Sequence, residues 1–74
     1  MNLTPTKYSY SEFIELSIYA DLKSAIKVND RLTVSSDQEL ADVKEKLTEN
    51  NLFFIEKSKR EIWVVSEAVA SGSV

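Results

Sequence analysis

Seventy-four residues with 12 acidic and 9 basic side chains, a net charge of −3 and 43% hydrophobic content describe one small domain with no room for a second. Cysteine and histidine are both absent, which excludes a disulfide framework, ordinary zinc ligation, Ser-His-Asp and Cys-His nucleophile systems and histidine acid–base chemistry. The acidic balance weighs against a protein whose main task is neutralising phosphates.

Ser9 and Glu12 are spaced as a capping box that opens a helix, with Tyr8 and Phe13 placed for a hydrophobic staple. Ile14, Ile18, Leu22, Ala25 and Ile26 fall on one apolar stripe, and Phe13, Leu16 and Ala20 on a weaker one. The helix is therefore expected to run to about Val28. A competing reading stops it near Ser24 and makes Ala25 to Val28 a strand, because apolar and polar residues alternate around Asn29-Asp30. Arg31 to Ser35 reads as a short strand. Ser36 and Glu39 form a second capping box, and Asp37 adds negative charge where the helix dipole favours it. Leu40, Val43 and Leu47 mark the buried stripe of this second helix, Asp42 and Lys46 are set for an i,i+4 ion pair, and Asn50-Asn51 is its stop.

A β-hairpin follows, with strands Leu52 to Lys57 and Glu61 to Ser66 around a loop at Ser58 to Arg60. A three-residue loop sets Phe53 opposite Val65, Ile55 opposite Trp63 and Lys57 opposite Glu61, and keeps Glu56 from facing Glu61. The predicted fold is a small single α+β domain in the order helix, short strand, helix, β-hairpin. Residues 1–8 are read as an N-terminal arm, 9–67 as the domain and 68–74 as a flexible tail.

The hairpin has two apolar faces. Phe53, Ile55, Trp63 and Val65 make a good core surface, and Leu52, Phe54, Ile62 and Val64 on the other side are nearly as apolar. Two helices and a short strand are too little to cover both. Leu52, Phe54, Ile62 and Val64 are therefore candidates for binding a protein partner or a second copy of the chain, unless the arm, through Leu3 and Tyr8, lies over them.

From Asp37 to Ser66, the succession of a helix with Val43 and Leu47 in its core stripe, a strand entry at Asn51-Leu52, a basic tip and a return strand at Ile62-Trp63-Val64 resembles the second half of a winged helix-turn-helix domain. That resemblance implies a helix reading the major groove and a wing whose cations, Lys57, Lys59 and Arg60, contact nucleic acid. Acid on the outer face of the same helix, at Asp42, Glu45 and Glu49, disfavours that partner. One glycine excludes a glycine-rich phosphate loop, and no loop carries the calcium-binding pattern. No cofactor and no catalysis are expected. No apolar run approaches a membrane span and Met1 to Lys7 has no apolar block after it, so a cytoplasmic location is expected. The sequence thus reads as a small non-catalytic interaction module, an accessory regulator or inhibitor of a larger complex, with a winged-helix nucleic-acid-binding regulator as the alternative.

Overall fold

The capping box at Ser9 forms as its spacing predicts. The Ser9 hydroxyl accepts from the Glu12 N–H at 3.3 Å, and the Glu12 carboxylate accepts from the Ser9 N–H at 2.8 Å. It opens α1 (Tyr10–Tyr19) in a computed structural model that describes residues 6–70.

The helix stops well short of Val28. Ala20 turns to an extended conformation, and Asp21 caps a new four-residue helix, α2 (Leu22–Ala25), accepting from the Lys23 N–H at 3.3 Å and the Ser24 hydroxyl at 3.1 Å. A short carboxylate that can bond the backbone locally competes with helix continuation, and here it wins. The other sequence reading fails too, because no strand forms over Ala25 to Val28. The break splits the main stripe: Leu22 and Ile26 beyond it are buried, at 3% and 2% exposure, Ile18 before it is 65% exposed, and Phe13 of the weaker stripe is fully buried.

Lys7–Ser9 is strand β1, paired in parallel with β2 (Arg31–Thr33). A parallel pair needs a crossover, and α1 with α2 supplies it. Residues read as an arm thus belong in part to the sheet. Asp30 ties that strand down: its buried carboxylate accepts from the Thr6 N–H at 3.3 Å and the Lys27 N–H at 2.9 Å. The turn before it passes through Asn29 at φ 82°, a left-handed conformation that asparagine tolerates.

Helix α3 (Asp37–Glu49) follows, with the Ser36 hydroxyl accepting from the Glu39 N–H at 3.2 Å. The reciprocal half of that box is displaced: the Glu39 carboxylate accepts from the N–H of Ser35 at 2.8 Å, one residue before the expected donor. Asn51, at φ 59°, ends the helix turn as expected. The hairpin of β3 (Phe53–Ser58) and β4 (Glu61–Val65) comes next, then α4 (Glu67–Ala70), which lies where a flexible tail was expected. The parts of the arm and tail at 1–5 and 71–74 lie outside the described residues. The α+β class stands, but the element order is β1, α1, α2, β2, α3, β3, β4, α4.

The sheet runs β1-β2-β4-β3. Phe53↔Val65 and Ile55↔Trp63 pair as predicted, but the tip differs. Ser58 pairs with Glu61 and Glu56 with Ile62, so Lys57 is the extra residue of a β-bulge and the turn shrinks to Lys59-Arg60. Neither turn residue has positive φ, so this is not one of the primed turns that suit a regular two-residue hairpin. The bulge keeps Glu56 and Glu61 out of register.

The inner face of the sheet carries Leu32 from β2 and Ile62 and Val64 from β4. Against them pack Phe13 of α1, Leu22 of α2, and Leu40, Val43 and Leu47 of α3, with Ile26 and Val34 completing the core. Burying each of the larger of these side chains contributes roughly 1.5–3 kcal/mol.

Candidate functional site

This packing reverses the assignment of the two hairpin faces. Ile62 and Val64 are 0% and 1% exposed, and Leu52 and Phe54 are half-buried against the same core. A partner cannot reach Ile62 or Val64 without unfolding the domain. The four residues singled out as a docking surface are therefore the inside of the hairpin. The reason is the neighbouring strand. Leu32 pairs with Ile62, so that β4 face shares its side of the sheet with the Leu32 parity of β2. The opposite parity of β2 is Arg31 and Thr33, which cannot face a core of leucines.

The open side of the sheet is consequently the other one. Phe53 is 40% and Ile55 38% exposed, with Val65 and Trp63, their partners on β4, half-buried between strands. The ladders align Lys7, Arg31, Trp63 and Ile55 in one row across all four strands. Such a row spans about 14 Å, three strand spacings of about 4.8 Å. The row has a defined centre. The Arg31 guanidinium carbon lies 4.3 Å from the Trp63 ring centroid and Lys57 Nζ lies 4.5 Å from it, approaching from the strands on either side. The indole N–H donates to the Glu61 carboxylate at 2.9 Å, which sets the ring's orientation.

The tip cations are not a free cluster. Lys57, displaced by the bulge, stacks on Trp63, and Arg60 pairs with Asp37 at 2.9 Å. Lys59 alone of the three projects without a side-chain partner among the described residues. The acidic stripe of α3 also divides. Glu45 and Glu49 are exposed, whereas Asp42 accepts from the Tyr10 hydroxyl at 2.7 Å and pairs with Lys46 at 2.9 Å. Those two hydrogen bonds, Lys46 first and Tyr10 second, hold the Asp42 carboxyl below its usual range, and the same contacts raise Tyr10 and Lys46. The three groups satisfy one another at the α1–α3 contact.

Sequence reasoning missed Arg31 and Lys7 as surface groups and read Trp63 as core. One signal was present: the alternation Arg31-Leu32-Thr33-Val34 states which side of β2 is wet, once β2 is known to adjoin β4. Among the described residues no acidic cluster is arranged to hold a metal, and no helix is long and apolar enough to cross a membrane. No family model, curated protein or solved structure matches the chain.

Proposed function

We propose that the chain is a small non-catalytic protein-interaction module, of the kind that serves as an accessory regulator or inhibitor of a larger complex, and that it docks through the outer face of its sheet. The observation that carries this reading is the contiguous surface of Phe53, Ile55, Trp63 and Val65, left open by the helices that cover the inner face. Exposed apolar surface on a small domain costs solubility and is usually retained for binding. The composition supports the non-catalytic half of the reading, since it withholds the commonest nucleophile–base pairs.

The test is a doubly substituted protein, Phe53→Ser with Ile55→Ser. It is expected to keep the wild-type circular dichroism and to lose a complex that the wild type forms and that can be rebuilt from purified components. Glu49→Gln, on the far side of the molecule, should bind as the wild type does. A complex that survives the double substitution would overturn the reading. Light scattering at micromolar concentration decides whether that complex is a homodimer. A complex with duplex DNA, lost when Lys59 and Arg60 become alanine, would favour the winged-helix alternative instead.

A further inference from the structure

Three surface features remain: an apolar patch formed by Tyr8 of β1 with Leu16 and Tyr19 of α1, a shallow groove between Val28 and Phe53, and the cation row on the outer sheet face. Only the last carries atoms whose bonding is incomplete.

Arg31 Nε is shut off from solvent and has no hydrogen-bond partner. An unpaired buried donor costs free energy, and because Nε itself is closed to solvent, the groups left to meet an acceptor from outside are the terminal Nη N–H groups of the same guanidinium. Arg31 forms no ion pair with any carboxylate of the described residues, and neither do Lys7 and Lys57. Lys44, Lys46 and Arg60, in contrast, each hold a carboxylate at 2.9 Å. Of the six cations without an ion pair among the described residues, Lys7, Arg31 and Lys57 therefore stand together on the outer face of a chain whose net charge is −3, while Lys23, Lys27 and Lys59 lie elsewhere. A guanidinium lying on an indole keeps its N–H edge free, and a carboxylate meets such an edge with two parallel hydrogen bonds. Apolar neighbours at Phe53, Ile55 and Val65 lower the local dielectric and strengthen that contact.

We propose that the Arg31–Trp63–Lys57 stack, with Lys7 beside it, is a carboxylate anchor for an acidic, partly apolar protein segment that lies across the outer face of the sheet. The proposal rests on the reading of that face as the docking surface and names the chemistry of its partner. A protein carboxylate fits better than a single-stranded nucleic acid. Base-binding platforms need a free aromatic face, and Trp63 has cations approaching from both neighbouring strands.

Trp63 is the sole tryptophan, so its emission reports occupancy of the site directly. The probes are a short peptide of glutamate and leucine, its lysine and leucine counterpart, and single-stranded oligothymidylate. The acidic peptide is expected to shift Trp63 emission saturably and more weakly as salt is raised. The pair Arg31→Gln with Lys57→Gln should weaken it at least about tenfold while leaving the thermal midpoint near that of the wild type. If that pair unfolds the domain, Lys7→Gln and Lys57→Gln measured singly replace it, each expected to weaken binding. No saturable response, equal response to the lysine peptide, or tighter binding of oligothymidylate would overturn the anchor. If the cation variants bind as the wild type does but Phe53→Ser with Ile55→Ser does not, the anchor falls and the docking face stands. If neither set of substitutions changes binding, both fall.

Discussion

The Tyr10 hydroxyl donates a 2.7 Å hydrogen bond to Oδ2 of Asp42, whose other oxygen accepts from Lys46 Nζ at 2.9 Å. This contact joins the first residue of α1 to the middle of α3 across 32 positions of sequence. It gives the two helices a polar fastening at the margin of a core that is otherwise aliphatic and aromatic.

A pH dependence follows. Asp42 has a folded pKa below its unfolded value of about 3.9, so its contribution is fully present above that value and disappears as pH falls through the folded one. Tyr10 and Lys46 are raised, so theirs is present below pH of about 10 and disappears as pH rises through the folded values. Thermal denaturation from acid to neutral pH should show a shallower acid limb for Asp42→Asn than for the wild type. Tyr10→Phe should lower the neutral-pH midpoint by a few degrees and shrink the same limb. An Asp42→Asn limb as steep as the wild type's would refute the assignment.

The Asp30 carboxylate accepts from two backbone N–H groups, that of Thr6 on Oδ1 and that of Lys27 on Oδ2. Asp30→Ala strands both donors, and the expected loss is about 1–3 kcal/mol. Because Arg31 N–H bonds to the Thr6 carbonyl at 2.9 Å, amide exchange at Arg31 should accelerate beyond the global change. Uniform acceleration across the sheet would show that Asp30 does not hold β1 in particular.

Substitutions on β4 and β3 should separate the two hairpin faces. Val64→Asp places a charge at a position 1% exposed and is expected to unfold the domain, as monitored by circular dichroism. Ile55→Asp, at a position 38% exposed, should leave the fold intact. The reverse result would restore the opposite assignment of core and surface.

At the tip, Arg60→Ala breaks its 2.9 Å pair with Asp37, but both side chains are well exposed. The change in stability is expected to stay below about 1 kcal/mol in urea denaturation. In the core, Phe13→Ala removes a fully buried ring and should cost about 3–5 kcal/mol, a large part of the total for a domain of this size.

Local chemistry was readable where the interacting groups are close in sequence. Ser9 with Glu12, Ser36 with the Glu39 amide, Asp42 with Lys46, the Asn51 stop and the Phe53–Val65 and Ile55–Trp63 pairs all form. The break at Asp21 was missed because its advantage is a competition: a local cap against one more helical turn of apolar residues. The bulge at Lys57 was missed because pairing rules for the tip were applied without a residue to spare.

By itself the sequence determined the repertoire: capped helices, a hairpin of known pairing, and a chemistry without histidine or cysteine. It also determined that the hairpin has two apolar faces, since a period of two sorts side chains into sets without saying which set is dry. That choice belonged to the tertiary structure. Leu32 meets Ile62 across β2 and β4, the parity of Arg31 and Thr33 is thereby turned outward, and Phe13 and Leu47 close over what remains. An unpaired guanidinium is far costlier to bury than a phenylalanine is to expose, so the position of Arg31 decided which face of the hairpin became the core.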